Sequence, residues 1–414
     1  MRADQVHDSV DRGTTVPYTI EVISTEDGLS PLEADWNRLS ETSQHPNVFA
    51  TYDWFRAWSR HLTAGQGRQC LQPYVIAVRH RDSVVGIAPL VQRVVSRLGF
   101  RIRKIEFVGD HADYNDLLLS KDPHTQTSAV VEHLAKTQDA WDIVDLRKLR
   151  EDSEELTRIE QALARANLSY SILPEPEGCP YLPIEANSSA WMDRLSGDAR
   201  RTLRQRMKKA AAEGLRTRII ENPHEEPGLL KALIELERKK HIHKATQTFV
   251  GSYPEVFQSL FAALGPRGWL YVALLERRDQ LVAFQMGFRC GRKLWDYSKA
   301  YDPSFSRFAP GTLLLQASFA YALSQGFDEY DFLQGEEPYK MIWSAGCHRR
   351  YRLLIWNRRA VSRVRKLFYH DVKTTVRRLL FRSVDCGRST WPGWGPRSWS
   401  ETWLTRPAAG QNGG

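Results

Sequence analysis

The stretch from Gly291 to Lys340 reads GRKLWDYSKAYDPSFSRFAPGTLLLQASFAYALSQGFDEYDFLQGEEPYK, and the rest of the second half is organised around it. An aromatic, alternating segment at 294–301 predicts a strand, and 329–333 predicts a second one. Between them, apolar residues repeat every three and four positions over 312–325, which predicts a helix with one buried face. Gly326 directly follows, at a position where a left-handed residue often ends a helix. The stretch therefore predicts a strand, a turn, a helix and a strand.

The turn before this helix has features of an anion site. Pro310 and Gly311 open the helix, and proline suits the first helical turn because its missing N–H needs no partner there. The free backbone N–H groups and the positive end of the helix dipole attract anions such as phosphate. Arg307 stands three residues before Pro310 and can bind phosphate oxygens through two N–H groups. The pattern predicts either a phosphate-binding helix start or an ordinary capped helix.

The same stretch resembles the GNAT acyltransferase superfamily, in the branch of cellulose and exopolysaccharide biosynthesis acetyltransferases that is related to the FemAB-like peptidyl transferases. The resemblance covers about residues 191–357, with fainter similarity back to about residue 20. It implies an α/β (α+β) fold with tandem GNAT-like domains, in which helices flank mixed sheets. The matching segments are Tyr301–Pro303, Arg307, Ala309–Leu314, Gly326–Phe327, Asp331–Leu333 and Gly335–Lys340.

The resemblance also implies acetyl-CoA, or another acyl-CoA, as co-substrate, and no metal. GNAT proteins bind the pyrophosphate of coenzyme A on a loop written Arg/Gln-x-x-Gly-x-Gly/Ala, which corresponds here to residues 307–312. Pro310 and Thr312 replace two glycine positions of that motif, and Pro310 has no N–H to donate. The expected donor-binding residues are Arg307, Phe308, Ala309, Gly311 and Thr312.

The resemblance implies that the catalytic residues lie at the end of the second predicted strand and in the segment after it. Acyl transfer needs a base for the acceptor and an acid for the departing thiolate. We expect Glu336 as the base and Tyr339 as the acid, with Asp331 as a further carboxylate. Lys340 would neutralise a phosphate or orient an acceptor carboxylate. Alternatively, residues 336–340 form a structural turn whose charges pair with each other.

The basic run Gly197–Gly214 predicts a helix that ends at Gly214. Arg200 and Arg204 are four residues apart and therefore lie on one face. This face is either a solvated cationic surface or a cradle for an anionic acceptor.

A second candidate for acceptor binding is the loop 109–116, which contains Asp113 and Tyr114. Its many turn-forming residues favour a solvated turn. The alternative is an acceptor-binding loop, which suits the FemAB-like resemblance better than a metal site. The spacing of its acids and histidine fits no standard metal set.

The chain divides by composition at the proline-rich segment Pro174–Pro183. The resemblance and this break predict a flexible leader at 1–17, an N-terminal GNAT-like domain at 18–182, a C-terminal GNAT acyltransferase domain at 183–360, a basic amphipathic helix at 361–384 and a disordered tail at 385–414.

Composition indicates a globular protein, with 42% hydrophobic residues in a chain of 414. No apolar run approaches the ~18 residues that span a membrane, and the N-terminal residues lack the apolar core of a signal peptide. The five cysteines are widely separated and form no CxxC pair, which fits a reducing compartment. We therefore expect a soluble cytoplasmic protein.

The net charge of +9 is unevenly distributed. Residues 341–414 hold 15 Lys and Arg against 3 Asp and Glu, whereas the remainder holds 43 against 46. The basic pI therefore belongs to the C-terminal end and does not indicate nucleic-acid binding. The helix predicted at 361–384 either docks on its own domain or lies on the anionic inner membrane as a peripheral contact.

We therefore expect an acyl-CoA-dependent N- or O-acyltransferase of cell-envelope or exopolysaccharide biosynthesis, acting on an amine or hydroxyl acceptor. A FemAB-like transferase that uses aminoacyl-tRNA is one alternative, although no sustained heptad run predicts the coiled-coil arm of such enzymes. A degenerate GNAT scaffold that binds a partner at the membrane is the other.

Overall fold

The computed structural model describes residues 18–43, 45–64, 71–97, 100–184, 192, 195–241 and 250–358. In the first half, period-two apolar patterns form strands and period-3.6 patterns form helices. The elements are β1 (Thr19–Ile23), α1 (Glu33–Thr42), α2 (Tyr52–Ala64), β2 (Leu71–Pro73), β3 (Val75–His80), β4 (Ser83–Ala88), β5 (Leu90–Arg97), β6 (Phe100–Phe107), β7 (Leu118–Leu119), α3 (Pro123–Lys136), β8 (Ile143–Arg150), α4 (Glu154–Arg165), β9 (Ser169–Pro174) and β10 (Cys179–Pro183).

The second half confirms the predicted strand, turn, helix and strand. A 3₁₀ helix at Pro303–Phe308 fills the turn, and Gly326 has a left-handed φ of 70° directly after the helix. The elements are α5 (Gly197–Ala212), β11 (Leu215–Ile220), α6 (Leu229–His241), α7 (Pro254–Leu264), β12 (Leu270–Arg277), β13 (Gln280–Cys290), β14 (Lys293–Tyr301), α8 (Pro310–Ser324), β15 (Glu329–Asp331), α9 (Pro338–Trp343), β16 (Gly346–His348) and β17 (Arg350–Trp356).

The described strands form an antiparallel sheet of order β1-β3-β4-β7 and two mixed sheets of orders β2-β5-β6-β8-β17-β9 and β11-β12-β13-β14-β15-β10-β16. In the first half, the parallel strands β6 and β8 are connected through α3. In the second half, the parallel strands β14 and β15 are connected through α8. Both halves therefore contain a parallel strand pair with a helical crossover, which confirms the expected mixed α/β fold.

The two halves exchange strands. β10 pairs with β15 and β16 in the sheet of the second half, whereas β17 pairs with β8 and β9 in the sheet of the first half. Backbone hydrogen bonds therefore join the sheet of each half to a strand from the other half of the chain. The sequence-based division at residue 182 cuts through β10.

A single apolar core crosses between the halves. The Phe49 ring stacks on Trp295 with ring centroids 5.2 Å apart, and Trp54 meets Phe288 edge-on. All four side chains are at most 3% exposed, and burying one side chain of this size contributes about 1.5–3 kcal/mol. The halves are thus joined by their cores as well as by their strands.

Different elements pack on the two faces of the seven-stranded sheet of the second half. One face packs against α6, α7 and the first half, as Leu233 and Phe257 show. The other face packs against α5, α8 and α9 through Leu203, Phe319 and Trp343. The helices α5, α8 and α9 therefore form the outer layer on the side away from the first half.

Candidate active site

Helix α8 begins without a side-chain cap. Its N-cap residue Ala309 has left-handed dihedrals (φ 52°, ψ 59°), and its carbonyl accepts hydrogen bonds from Thr312 and Leu313. Pro310 has no N–H to offer, whereas the Gly311 N–H has no partner among the described residues. A Cβ placed on Gly311 would meet no atom within 4 Å. The first turn is therefore open to an anion at Gly311.

Arg307 adds positive charge beside this helix start. Its side chain is 61% exposed and lies 3.9 Å from Glu213 Oε1. The other oxygen of Glu213 accepts from Arg277 at 2.9 Å, so two guanidinium groups share one carboxylate. Phe308 is 1% exposed, and its buried ring anchors the loop in the core instead of lining it. Arg307 and the backbone of the loop are thus the groups that an anion can reach.

Helix α3, the crossover helix of the first half, differs from α8 because a side chain caps its N-terminus. Asp122 caps α3 by accepting from the Thr125 N–H at 3.3 Å, and the Tyr18 hydroxyl donates to the same carboxylate at 3.2 Å. A carboxylate of the chain therefore already occupies the helix start where an external anion would bind. Of these two crossover helices, α8 alone has a first turn that is open to a ligand.

The parallel strands β14 and β15 leave a stretch of β14 in front of α8 without a β15 partner, and we call this unpaired stretch the opening. β14 and β15 pair over three residues only, from Lys293 with Glu329 to Trp295 with Asp331. β15 then ends, while β14 continues to Tyr301 and leads into the start of α8. The opening therefore begins at the residue after Trp295 and runs toward the open turn of α8.

A glycine shapes β14 at this point. The register of β13 and β14 shifts between Met286 and Gly287, and a Cβ on Gly287 would lie 1.9 Å from the carbonyl oxygen of Trp295. Because no side chain fits in this space, Gly287 allows the two backbones to approach closely beside the opening.

Asp296 is the first residue of β14 beyond the paired segment. Its residue is 3% exposed, and Oδ2 forms an ion pair with Lys299. Its other oxygen, Oδ1, is buried and has no hydrogen-bond partner among the described residues. A buried carboxylate oxygen without a donor is costly, and it is available to a proton or a donor group of a ligand. Asp296 is not among the catalytic residues expected from the sequence.

Tyr339 approaches the same place from α9. The ammonium group of Lys299 lies 4.5 Å from the centroid of the Tyr339 ring. Burial raises the pKa of the Tyr339 hydroxyl well above its ordinary value, so the group stays protonated at neutral pH. The structure therefore brings the predicted acid Tyr339 close to Asp296 and Lys299.

The other predicted catalytic residues of this segment have partners within the chain. Glu336 is exposed, and its Oε1 accepts from the Gly178 N–H at 3.1 Å, on the β10 side of β15. Lys340 is 5% exposed, and its Nζ lies 2.5 Å from the Gln334 carbonyl oxygen and 3.1 Å from Glu337 Oε2. These contacts stabilise the loop after β15, and catalytic roles for Glu336 and Lys340 stay predictions.

Asp331 and Tyr114 meet at the junction of the two halves. Both are 0% exposed, and the Tyr114 hydroxyl donates to Asp331 Oδ2 at 2.6 Å. The Leu333 N–H donates to Oδ1 at 2.7 Å. Burial raises the pKa of Asp331 to about 6 and that of Tyr114 well above its ordinary value. The expectation of a solvated turn at 109–116 is therefore wrong at Tyr114.

Asp113 belongs to the same junction. Its Oδ2 accepts from the Gln334 N–H at 3.4 Å, and its carbonyl accepts from Arg350 at 2.8 Å. The guanidinium of Arg350, whose residue is 2% exposed, also donates to the Glu177 carbonyl at 2.8 Å. Lys148 donates to the carbonyls of Asp110 and Ala112, each at 2.6 Å. Arg350 and Lys148, which the sequence analysis did not select, thus clamp the loop in place.

Three residues of metal-ligating type also lie near this junction. Within the described residues, one ligand atom each of Glu329, Asp331 and His348 lies within 4.8 Å of the others. The Lys293 ammonium is 2.9 Å from Glu329, and His348 Nε2 is 3.1 Å from the same carboxylate. The chain itself therefore already supplies a cation, Lys293, and a ring nitrogen of His348 as partners of Glu329.

Arg200 and Arg204 lie on α5, in the outer layer. Arg204 is exposed and Arg200 is half-buried. Ala210 of the same helix packs in one apolar cluster with Phe308, which places the C-terminal end of α5 beside the donor loop. At 1.5 Å per residue, Arg204 lies about 9 Å along the helix from that contact. A role in acceptor binding stays a prediction.

The basic helix predicted at 361–384 and the tail at 385–414 lie outside the described residues. Among the residues that the structure does describe, no helix combines the length and the apolar character needed to cross a bilayer.

Comparisons with known proteins agree with this geometry. Residues 197–341, from α5 to α9, match the family model of the GNAT acetyltransferase domain, and no curated protein matches the sequence. A crystal structure of FemX is 14% identical, with a TM-score of 0.53, and the match covers 78% of this chain and 96% of that one. A conserved protein of unknown function from Bacteroides thetaiotaomicron VPI-5482 is 12% identical, with a TM-score of 0.52, over 81% and 100% of the two chains.

The C-terminal domain of an Agrobacterium fabrum protein described as a lysylphosphatidylglycerol synthetase is 11% identical, with a TM-score of 0.50, over 82% and 95% of the two chains. At these identities the likeness concerns the fold alone. The domain match covers α8, its loop and the opening. Residues 197–341 therefore match the GNAT domain, and the protein is an acyltransferase with the GNAT fold.

Proposed function

We propose that this protein transfers an acetyl group from coenzyme A to an amine or hydroxyl group of an acceptor. The observation that carries the proposal is the opening, the stretch of β14 that has no β15 partner. The open first turn of α8 follows β14 along the chain, and the first residue of the unpaired stretch is Asp296, a buried carboxylate with an oxygen that has no partner among the described residues. A GNAT domain uses an acyl-CoA as co-substrate, and the resemblance of residues 301–340 to acetyltransferases supports acetyl as the acyl group.

The donor would bind through its pyrophosphate at α8. The Gly311 N–H and the positive end of the helix dipole attract the phosphates, and the exposed guanidinium of Arg307 adds a charge-assisted contact. Pro310 removes one N–H from this turn, but it also fixes the backbone angle that begins the helix. The departures from the GNAT loop motif therefore reduce the number of donors without closing the site.

Asp296 would accept the proton of the acceptor. Its Oδ1 lacks a partner among the described residues, and Lys299 pairs with Oδ2, so Oδ1 is the oxygen that a proton can reach. The deprotonated acceptor then forms a bond to the acyl carbon, and the bond from that carbon to sulfur breaks. We assign to Asp296 the role of base that the sequence led us to expect for Glu336, because Oε1 of Glu336 already accepts from the Gly178 N–H.

Tyr339 would protonate the departing sulfur. Burial raises the pKa of its hydroxyl, so the group holds a proton throughout the neutral range that it can pass to the thiolate. After the transfer, the proton from Tyr339 is on the thiol of coenzyme A and the proton of the acceptor is on Asp296. Transfer of a proton from Asp296 to the phenolate, directly or through water, restores both groups.

We further propose an acceptor of cell-envelope or exopolysaccharide biosynthesis, met on the cytoplasmic side of the inner membrane. The resemblance of residues 301–340 to the cellulose-associated branch supports this choice. The named structural neighbours, a FemX and a protein described as a lysylphosphatidylglycerol synthetase, are consistent with it at the level of fold. The segment 361–384 would add a peripheral membrane contact.

The test is release of free thiol from acetyl-CoA in the presence of amino sugars, polyamines, peptides and polysaccharides, one class at a time. We expect one class to support turnover, and Asp296→Asn to lower kcat by about 10²–10⁴-fold without weakening coenzyme A binding. Asp279→Asn, in the exposed turn between β12 and β13, is the matched control and should leave kcat unchanged. Equal turnover by parent and Asp296→Asn would remove Asp296 from the mechanism.

A further inference from the structure

Helix α5 presents a cationic surface that the donor site does not account for. Six of its 16 residues are Lys or Arg and one, Asp198, is acidic. Leu203 and Ala210 face inward and are buried. The fully exposed cations are Arg201, Arg204, Lys208 and Lys209.

Among the described residues, three of these four exposed cations have no acidic partner. Arg201 forms an ion pair with Asp198 at 2.9 Å, but both side chains are more than 70% exposed, so water and salt screen the pair. In the part of the chain that the structure describes, Arg204, Lys208 and Lys209 form no ion pair. A cluster of exposed like charges on one helix repels itself, which favours binding to an anionic surface.

Apolar side chains accompany these cations. Among the described residues, the exposed large hydrophobic side chains are Met207, at 41%, and Met341, at 48%. Met207 lies on α5 among the cations, and Met341 lies on α9. Because Leu203 of α5 and Trp343 of α9 pack in one cluster, both methionines belong to the outer layer. The surface therefore combines positive charge with exposed apolar atoms.

We propose that the outer face of α5 docks this protein on an anionic lipid bilayer. The Lys and Arg side chains would contact lipid phosphates, and Met207 would enter the boundary between headgroups and acyl chains. The chemistry of the surface favours lipid over single-stranded RNA, since α5 contains no aromatic side chain on which a base could stack. The contact between Glu213 and Arg307 places the donor loop next to this surface, so docking would bring the acyl donor close to the bilayer.

The experiment is sedimentation of the full-length protein with vesicles in 0.1 M salt. Vesicles of phosphatidylcholine alone are compared with vesicles that contain about one third phosphatidylglycerol. Each cation near an anionic surface contributes about fivefold to partitioning, so reversal of three should lower it by at least about 100-fold. The α5 variant is Arg204→Glu with Lys208→Glu and Lys209→Glu. The matched control reverses three exposed cations of the first half, Arg81→Glu, Lys121→Glu and Lys136→Glu.

Two further arms test whether another segment binds the lipid and whether another ligand binds α5. Reversal of Arg363, Arg365 and Lys366 tests the segment 361–384 in the same full-length protein, and saturating coenzyme A tests whether the α5 cations belong to the donor. The expected result is binding to the anionic vesicles only, at least 100-fold loss in the α5 variant, little loss in the control, and no effect of coenzyme A. Thermal unfolding of each variant checks that it is folded.

The proposal is overturned if the parent does not bind anionic vesicles or if the folded α5 variant binds as well as the parent. Displacement by coenzyme A, or competition by single-stranded RNA at lower concentration than lipid, would assign the surface to that ligand instead. Because vesicle binding needs no acyl transfer, these results are independent of the proposed activity.

Discussion

The hydrogen bond between Tyr114 and Asp331 makes a quantitative prediction about the junction of the two halves. Tyr114→Phe removes the hydroxyl that donates at 2.6 Å to a fully buried carboxylate. A hydrogen bond to a charged group contributes about 1.5–3 kcal/mol to the free energy of unfolding, whereas a neutral one contributes about 0.5–1.5 kcal/mol. We therefore expect a loss of about 2–3 kcal/mol when Asp331 is ionised and about 1 kcal/mol when it is protonated.

The pH dependence of this loss follows from the pKa of Asp331. Burial raises that pKa to about 6, and the hydrogen bond from Tyr114 lowers it. Because the folded pKa lies above that of an unfolded aspartate, stability falls as the pH rises through the window between about 4 and 6. Without the hydroxyl the pKa rises further and the window extends above 6. For each unit by which Tyr114→Phe raises the pKa of Asp331, the free energy of unfolding falls by about a further 1.4 kcal/mol at pH 8. At pH 5 this further loss is absent.

The assay is urea unfolding of the parent and Tyr114→Phe at pH 5 and pH 8. Tyr351→Phe is the control, because its hydroxyl donates to Glu151 at 3.2 Å on the exposed surface, and its loss should cost less than about 0.5 kcal/mol at either pH. The reasoning is refuted if Tyr114→Phe costs no more than the control at pH 8, or if it costs more at pH 5 than at pH 8.

Three further perturbations test the loop clamp, the sheet and the predicted acid. Arg350→Met removes buried hydrogen bonds to two carbonyl groups and should destabilise by about 3–5 kcal/mol in urea unfolding, whereas its exposed neighbour Arg349→Met should change little. Gly287→Ala should cost about 2–4 kcal/mol in the same assay, because the added methyl group overlaps the Trp295 carbonyl; an unchanged midpoint would show that β13 and β14 can separate freely. Tyr339→Phe should lower kcat by about 10–100-fold with an unchanged dissociation constant for coenzyme A, and weaker binding without a change in kcat would instead make it a positioning residue.

Local patterns predicted the elements around α8 because those patterns are consequences of local geometry. The period of the apolar residues indicated the helix and the two strands, and Gly326 marked the end of the helix as its positive φ requires. The basic run likewise predicted a helix, which the structure places at Gly197–Ala212. These inferences need only residues within one or two turns of each other.

Long-range pairing explains what the sequence did not reveal. Tyr114 and Asp331 are 217 residues apart. The turn-forming residues around Tyr114 indicated solvent exposure, because a local pattern does not show that the second half of the chain covers this loop. The exchange of β10 and β17 has the same origin, since each strand pairs with partners from the other half of the chain. A buried position for each of these residues follows only when both halves are folded together.

Asp296 could have been selected from the sequence. It is the acidic residue within the aromatic strand Leu-Trp-Asp-Tyr-Ser-Lys-Ala-Tyr at 294–301, and a carboxylate in such a strand is buried at a cost. The sequence analysis instead gave weight to the acids in the loop after β15, where Glu336 and Glu337 lie on the surface. Asp296 is 3% exposed, whereas Glu336 and Glu337 are exposed, and this difference in burial depends on how the whole domain packs.

Calorimetric titration of acetyl-CoA into the parent protein and Gly311→Asp tests the central claim most directly. A side chain at Gly311 meets open space, so the variant should fold normally while it places a carboxylate where the pyrophosphate would bind. Gly311→Ala is the control for the loss of glycine alone. We predict binding by the parent and by Gly311→Ala, and binding weaker by at least about tenfold in Gly311→Asp. Absence of binding by the parent, or equal binding by all three proteins, would contradict a donor site at α8.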